Sequence, residues 1–270
     1  MKLIMSRQMN LKLFIAANVL VISVSATGQT ITSLNITDKQ GKKQGHWIKK
    51  YPNESIMYDG NFKDDHPVGE MKRYYEDQTL KSDLLYSENG RKAVAVVYHA
   101  NGNISAKGTY IDQKKEGKWQ FYSSFKKGCL VSEEYYSDNL INGLSLKFYA
   151  DSTIAEKTQY LNDIKQGEWT QYYPSGAISL KSNYLNGKVN GKFEVWFENG
   201  RIEFSGQYKN DSRDGLWIIY NNEGTIKYKL TYQSGITHDR QMDIDESDYL
   251  DSLENNKGKI ADPEKSGINK

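Results

Sequence analysis

The sequence predicts an all-β fold, an elongated single sheet in which antiparallel β-hairpins follow one another along the chain. Three observations predict it: a repeat with a period of 24 residues, alternation of apolar and polar residues inside each copy, and an unusual composition. The chain has 270 residues, of which 20 are Tyr and only 37% are hydrophobic. Many rings and few aliphatic side chains are typical of thin β-rich structures rather than of deep globular cores.

Each copy of the repeat opens on a Gly-x-aromatic triplet or a weaker form of it. The openings are Gly45, Gly69, Ala93, Gly117, Gly143, Gly167, Gly191 and Gly215. Successive openings are 24 residues apart, except for a step of 26 between Gly117 and Gly143. Positions are numbered below from the opening residue as position 0, and the two extra residues of the fourth copy are left out of the count.

Three further columns recur inside the eight copies. Position 5 is aromatic except at Lys50, and its rings are Tyr74, Tyr98, Tyr122, Phe148, Tyr172, Trp196 and Tyr220. Position 11 is always Ile or Leu: Ile56, Leu80, Ile104, Leu130, Ile154, Ile178, Ile202 and Ile226. Position 17 is aromatic throughout: Phe62, Tyr86, Tyr110, Tyr136, Tyr160, Tyr184, Tyr208 and Tyr232.

Turn residues separate these columns and divide each copy into two strands. Glycines such as Gly102 and Gly176 stand between positions 5 and 11, where a tight hairpin needs a positive φ. A second polar turn, often containing Asp or Asn, precedes the next opening. Each copy is therefore predicted to be one hairpin. Side chains along the second strand of each copy are expected to alternate between the two faces of the sheet, which places positions 11, 13, 15 and 17 on one buried face.

The column pattern G-x-W-x-x-Y-x-x-x-G-x-I-x-x-x-x-x-Y resembles the bacterial variant of the MORN repeat, and the resemblance covers residues 45–236. It implies a MORN-like hairpin meander with no catalytic machinery of its own. It also implies relatives that act as scaffolds, dimerisation surfaces or phospholipid-contacting modules, some of them antitoxin-like. The chain departs from the pattern at Ala93, Ala95 and Ser145, and in the longer turn of the fourth copy.

The two ends of the chain differ from the repeat. Residues 1–28 are predicted to be a cleavable signal peptide, with basic residues, an apolar run over 13–22, and Ala26 and Gly28 at the −3 and −1 positions. Residues 29–44 are predicted to be an N-terminal half-repeat that pairs with the first hairpin, and 237–270 an acidic, disordered tail. The protein is therefore expected to be exported to the periplasm, the cell surface or the medium.

Charge and motif content narrow the classes of function. Removing residues 1–28 takes three of the 36 basic residues and none of the 34 acidic ones, so the remaining chain is nearly neutral and nucleic acid is not expected as a partner. One cysteine and four scattered histidines predict neither a disulfide nor a metal site, and no cofactor-binding motif is present. Because the acids fall in turns and no nucleophile elbow or phosphate loop occurs, the sequence predicts a protein that is not an enzyme.

Position 6 supplies the predicted partner-binding residues. Its rings are Tyr51, Tyr75, Tyr149, Tyr173 and Phe197. Adjacent strand residues point to opposite faces, so these rings form an exposed row if position 5 joins the core. The alternative is that they pack over the next turn. Phe125, at the tip of the longer turn Ser123–Gly128, is a further candidate.

The sequence therefore predicts an exported, non-enzymatic β-repeat protein that serves as a protein–protein interaction or scaffold surface in the cell envelope. One alternative is an immunity-type antitoxin that neutralises a partner toxin. Another is a module that contacts a membrane surface or glycan, since lysines outnumber acids on the polar strand face. A homo-oligomer, cross-linked for example through Cys129, is a further expectation that the sequence leaves open.

Overall fold

The computed structural model describes residues 34–237, which form a single open antiparallel sheet of 19 strands. The all-β hairpin meander is thereby confirmed. The predicted signal peptide and almost all of the predicted acidic tail lie outside the described residues. Within 34–237 there is no helix long and apolar enough to cross a membrane.

Each strand pairs with its neighbour along the chain. The first half of the sheet contains β1 (Ile36–Thr37), β2 (Lys43–Lys50), β3 (Ile56–Lys63), β4 (His66–Tyr74), β5 (Leu80–Ser87), β6 (Lys92–Tyr98), β7 (Ile104–Ile111), β8 (Lys114–Tyr122) and β9 (Leu130–Ser137). The second half contains β10 (Leu140–Phe148), β11 (Ile154–Leu161), β12 (Ile164–Tyr172), β13 (Ile178–Leu185), β14 (Lys188–Val189), β15 (Gly191–Trp196), β16 (Ile202–Lys209), β17 (Ser212–Tyr220), β18 (Ile226–Gln233) and β19 (Ile236–Thr237).

The strands correspond to the predicted copies. Strands β14 and β15 act as one strand interrupted at Asn190, because both pair with β13. Eight hairpins result, from β2–β3 to β17–β18, one for each copy. At the N-terminal side, Ile36 of β1 pairs with Gln44 of β2.

The turn inside each hairpin has a residue with positive φ at position 9, which is glycine in five copies and Glu54, Gln78 or Ser152 in the other three. In the sixth copy the N–H of Tyr173 donates to the carbonyl of Ala177, and the N–H of Gly176 donates to the carbonyl of Tyr173, both at 2.8 Å. Gly176 has φ 85°, and Gly102 has φ 80° at the same position of the third copy. A side chain would be strained there, which explains why glycine recurs.

The turns between hairpins link neighbouring copies. Their central residues have positive φ, for example 50° at Asn162 and 65° at Asp163. Asn and Asp tolerate this region better than other non-glycine residues. The N–H of Ile141 donates to Asp163 Oδ1 at 2.6 Å, and the N–H of Val189 donates to Asp211 Oδ1 at 2.7 Å. The acids therefore serve turn geometry, as expected, and they also connect residues 22 positions apart.

The third copy shows why an alanine can replace the opening glycine. Elsewhere the opening glycine has positive φ, as at Gly117 (67°), and lies beside a shift in strand register. Between β5 and β6 the register runs without a shift from Ser82↔Val97 to Ser87↔Lys92. The two residues that form the bulge in other copies lie here in a longer turn over 88–91, so Ala93 needs no positive φ.

One face of the sheet, called the inner face below, carries positions 2, 4, 13, 15 and 17. Its buried side chains form two clusters, one around Trp119 in the first half and one around Trp217 in the second. Between the clusters the same columns hold the buried polar residues Ser132, Ser145, Glu156 and Thr158. The position-17 rings lie on this face, which confirms the predicted alignment of that column.

Positions 15 and 2 of successive copies are matched in size. A Cβ added to Gly206 would lie 2.2 Å from the ring of Trp217, and one added to Gly108 would lie 2.2 Å from the ring of Trp119. Where the repeat lacks the large residue, its neighbour is larger: Leu84 pairs with Ala95. The departure at Ala95 is thus compensated across the strand pair.

The structure corrects the prediction for position 11. In the sixth copy Gln171 pairs with Leu180, but Tyr172 pairs with Ile178, so Ser179 is left over as a β-bulge. This extra residue cancels the alternation and turns Ile178 and Tyr172 to the opposite face, called the outer face below. The prediction that position 11 shares the buried face with positions 13 to 17 was therefore wrong, and position 5 does not join the inner core.

Candidate interaction surface

A row of rings and branched aliphatic side chains runs along the outer face. In seven copies an aromatic residue at position 5 pairs directly with an Ile or Leu at position 11, as in Phe148↔Ile154 and Tyr220↔Ile226. Directly opposed residues have Cβ atoms roughly 5 Å apart and contact each other. These residues, from Tyr74 and Leu80 to Tyr220 and Ile226, are called the outer stripe below. Its most exposed members are Ile154 (39%), Ile178 (40%) and Ile226 (50%).

Contacts of Tyr122 place the position-5 rings on the outer face. Its hydroxyl donates to Gln120 Oε1 at 3.1 Å, and the ammonium of Lys107 lies 5.6 Å from its ring. Gln120 in turn donates to Glu133 Oε2 at 3.1 Å. All of these partners stand at positions that alternate with the inner-face columns, so the rings belong to the opposite side of the sheet.

Charged residues beside the outer stripe form ion pairs across strands. Lys118 Nζ lies 2.7 Å from Glu133, and Lys181 Nζ lies 3.4 Å from Glu168. The hydroxyl of Thr170 donates to Glu168, and this bond, together with the charge of Lys181, holds the pKa of the Glu168 carboxyl below its ordinary value. Three of these four side chains are about half exposed, and Glu133 is 14% exposed, so each pair contributes little to stability.

The position-6 residues lie in a row at the hairpin tips, where each ring reaches toward the next copy. The tyrosine hydroxyls donate to the carbonyl of the position-5 residue one copy further on. The bonds are Tyr51 to Tyr74 (2.9 Å), Tyr75 to Tyr98 (3.0 Å), Tyr149 to Tyr172 (2.6 Å) and Tyr173 to Trp196 (2.7 Å). His99 makes the equivalent contact with the carbonyl of Tyr122 at 3.0 Å.

These contacts agree with the alternative interpretation of position 6, in which the rings pack over the next turn. All five predicted residues, including Phe197, are half-buried. Burial raises the pKa of Tyr149 and of Tyr173. Their polar ends are used within the sheet, while the ring edges remain in part accessible. A role in partner binding stays a prediction for this row.

Removing one of these hydroxyls is expected to weaken the link between copies. Tyr173→Phe should lower the free energy of unfolding by about 0.5–1.5 kcal/mol, because the carbonyl of Trp196 loses its donor. Tyr135→Phe is the matched control, since the Tyr135 ring is exposed and its hydroxyl makes no hydrogen bond within residues 34–237. Equal losses in the two variants, measured by urea unfolding, would contradict the structural role of position 6.

Phe125 lies apart from the row, at the tip of the longer turn. Its ring is 67% exposed. The turn itself is anchored: Ser123 Oγ accepts the N–H groups of Phe125 and Lys126 at 3.2 Å, and Lys126 Nζ donates to the carbonyl of Ala150 at 2.9 Å. The nearby thiol of Cys129 is buried, with Sγ 3.8 Å from the carbonyl of Ala150. Cross-linking through Cys129 would therefore require this turn to open.

The outer stripe is the feature that the sequence analysis missed. The signal for it was position 9, glycine in five copies, whose positive φ fixes a turn in which position 5 pairs with position 11. The bulge at position 12 has no residue type of its own, since Met57, Lys81 and Ala155 all occupy it. Within residues 34–237, no group of three or more His, Cys, Asp or Glu residues could hold a metal ion.

Comparison with known proteins identifies the type of repeat. Segments 93–112, 165–186, 189–210 and 213–234 match the family model described as MORN repeat variant. The chain therefore contains repeats of this type. No curated protein sequence matches the chain.

Two similar solved structures are the crystal structure of TarM and that of a mutant of S. aureus TarM in complex with fondaparinux, alpha-GlcNAc-glycerol and UDP. Each is 11% identical, and the alignment covers 36% of this chain and 19% of TarM, with TM-scores of 0.27 and 0.28. The alignment thus spans less than a fifth of TarM, and nothing about this chain follows from it.

Proposed function

We propose that this protein is an exported, non-enzymatic β-repeat protein whose sheet is an interaction or scaffold surface for another protein of the cell envelope. The outer stripe carries this proposal. Single exposed apolar residues are common on protein surfaces, whereas apolar side chains aligned along one face, three of them exposed and the others half-buried, are typical of an interaction site. Export rests on the sequence of residues 1–28 alone.

The charges of the outer face favour a protein partner over an anionic polymer. Several of the lysines that suggested lipid or glycan contact are already engaged. Lys181 pairs with Glu168, Lys107 lies over the ring of Tyr122, and Lys81 Nζ lies 5.3 Å from the ring of Tyr75. A partner with an apolar ridge and a polar rim would match the stripe and the ion pairs beside it.

An immunity-type function is a narrower form of the same proposal. If the protein is a bacterial antitoxin-like MORN protein, the partner on the outer stripe is a toxin, and binding inhibits it. If it is a scaffold, the partner is a resident envelope protein. The two forms share one surface, so one set of variants tests both.

The test compares partner capture by two triple variants. Ile154→Ser/Ile178→Ser/Ile226→Ser changes the exposed part of the outer stripe. Leu161→Ser/Ile164→Ser/Leu185→Ser removes as many exposed apolar residues at the other edge of the hairpins. A partner captured from envelope extract by the wild type is purified, and its Kd for each variant is measured.

The proposal expects the stripe variant to lose affinity by roughly 100-fold or more, as truncation of several interface anchors does, and the control to bind like the wild type. Equal binding by both variants would refute the role of the stripe. Inhibition of a captured toxin would assign the immunity-type function. Binding only to anionic vesicles or glycans, lost at high salt, would replace the protein partner by a lipid or glycan.

A further inference from the structure

An open cavity of about 540 Å³ lies over the first copies of the repeat. Its lining includes Tyr58, Arg73, Leu84, Tyr86, Val97 and Tyr110, all from inner-face columns. None of its lining residues is acidic, while Arg73, Lys81 and Arg91 are basic. The cavity is thus an apolar groove with a positive charge, lined mainly by inner-face residues, and Tyr74 of the outer stripe also contributes to its lining.

Small side chains in the second and third copies create this groove. In the seventh copy the inner face is filled by Phe193 at position 2 and Phe204 at position 13, both buried. The same columns hold Ala95 and Ala106 in the third copy, and Ser82 stands at position 13 of the second copy. The position-17 rings are buried at Tyr208 and Tyr232 but only half-buried at Tyr86 and Tyr110.

A cation that covers the position-17 ring in other copies is turned away here. The residue two before the opening places its charge over that ring at Lys43 (4.7 Å from Phe62), Lys115 (4.5 Å from Tyr136), Lys165 (4.7 Å from Tyr184) and Arg213 (5.4 Å from Tyr232). The equivalent residue for Tyr110 is Arg91. Its guanidinium instead forms two bonds to Asp112, at 3.2 and 3.3 Å. As a result no cation within residues 34–237 lies over the Tyr110 ring, which is half-buried and packs against Trp119 with the ring centroids 4.8 Å apart.

Arg73, which is exposed, supplies a charge to the lining of the groove. Its guanidinium makes no hydrogen bond or ion pair within residues 34–237, and neither the Tyr86 nor the Tyr110 hydroxyl has a hydrogen-bond partner there. Arg73 and Tyr110 both line the groove. Burial raises the pKa of Tyr110, and the charge of Arg73 opposes that rise. A guanidinium without a side-chain partner, in a groove that is also lined by two half-buried tyrosine rings, is suited to a planar anion.

We propose that this groove binds a small carboxylate that carries a six-membered ring. Arg73 holds the carboxylate through its two-pronged guanidinium, and the ligand ring packs on the faces of Tyr86 and Tyr110. The cavity volume lies in the range of small-molecule sites. An aromatic carboxylate and a uronic acid share this chemistry. The three side chains proposed to contact the ligand are not members of the outer stripe, so the site can be tested separately from the proposed partner.

Calorimetric titration of the full chain with matched probes tests the proposal. Phenylacetate is compared with phenylacetamide, and glucuronate with glucose. A carboxylate is expected to bind roughly 10- to 100-fold more tightly than its neutral counterpart, because the charge-assisted bonds to Arg73 are lost without the charge. The carboxylate that binds more tightly identifies the source of the ligand.

Three variants separate this site from general surface charge. Arg73→Gln should weaken carboxylate binding roughly 10- to 100-fold. Lys72→Gln removes the same charge from the adjacent residue on the opposite face and should leave binding unchanged. Ser82→Phe places a ring where Phe204 stands in the seventh copy, so it should abolish binding while Arg73 remains.

The proposal is overturned if no carboxylate binds the wild type at millimolar concentration, or if Arg73→Gln and Lys72→Gln weaken binding equally. It is also overturned if folded Ser82→Phe binds as the wild type does. Should Ser82→Phe fail to fold, as judged by circular dichroism, the Arg73→Gln and Lys72→Gln pair decides alone. None of the three substitutions changes a residue of the outer stripe. Failure of this proposal therefore leaves the proposed function standing.

Discussion

Lys147→Met is expected to destabilise the protein by about 2–4 kcal/mol at neutral pH, because it leaves a buried carboxylate without its cation. Glu156 is 2% exposed, and its carboxylate lies 3.1 Å from Lys147 Nζ. Trp169 Nε1 and Gln171 Nε2 also donate to it, at 3.2 and 3.0 Å. These neutral donors remain in the variant, but they do not replace the lost charge.

The loss of unfolding free energy in Lys147→Met should depend on pH. The direction of this dependence follows from the pKa of Glu156. Burial alone would raise that pKa, but the charge of Lys147 and the hydrogen bonds from Gln171, Lys147 and Trp169 outweigh it, so the pKa is lowered. In the wild type this carboxylate therefore stabilises the fold above the ordinary Glu pKa of about 4.3, and the contribution is lost as pH falls through the lowered pKa. In Lys147→Met burial prevails and raises the pKa, so the deficit grows as pH rises from acid toward neutrality.

Urea unfolding at pH 4 and pH 7 measures this effect. The double variant Lys147→Met/Glu156→Gln should recover most of the loss at pH 7, since no charge is then buried. Lys192→Met, at the more exposed pair with Glu194 (2.7 Å), should cost less than about 1 kcal/mol. An equal deficit at both pH values in Lys147→Met would show that lost packing, not the buried charge, is responsible.

Gly206→Ala is expected to cost about 3 kcal/mol, although it adds a single methyl group. That Cβ would lie 2.2 Å from the ring of Trp217, which is 0% exposed. The ring cannot shift aside, because the rings of Phe193 and Tyr208 lie 5.7 and 5.2 Å from it on the inner face. The substitution therefore forces the backbone or several buried rings to move.

Gly60→Ala is the matched control for this prediction. Gly60 occupies the same position 15 and, like Gly206, has no positive φ. Its added Cβ would lie 2.9 Å from Met71 Cγ and 3.0 Å from Met71 Cβ, so a much smaller shift relieves the contact than at Gly206, where the distance is 2.2 Å. The expected cost is below about 1 kcal/mol. Equal effects of the two substitutions on the free energy of unfolding would contradict the size matching between positions 15 and 2.

The hairpin array could be predicted from the sequence because each column has a local physical cause. Gly176 and its equivalents have positive φ, so they mark the turn in advance in the five hairpins that contain them. The aromatic column ending at Tyr232 could bury its rings only by lining up on one face. Those two signals suffice for eight hairpins in order.

Which side chains lie on which face of the sheet could not be predicted as fully. That assignment depends on residues that cannot be recognised from the sequence of a single copy. The bulge at Ser179 is defined by strand register rather than by residue type, and it alone sends Ile178 to the outer face. The groove at Tyr110 likewise depends on several substitutions acting together, among them Ala95 and the redirected Arg91. Only the three-dimensional pairing reveals that these are one feature.

Thiol labelling of two single-cysteine variants tests the assignment of the faces most directly. Ile178→Cys and Leu180→Cys, each made in a Cys129→Ser background, differ by two residues on one strand, where Ile178 is 40% and Leu180 is 4% exposed. The structure predicts rapid reaction of the cysteine at position 178 with a maleimide and strong protection at position 180. Equal protection at both positions would place the Ile column in the core and remove the outer stripe.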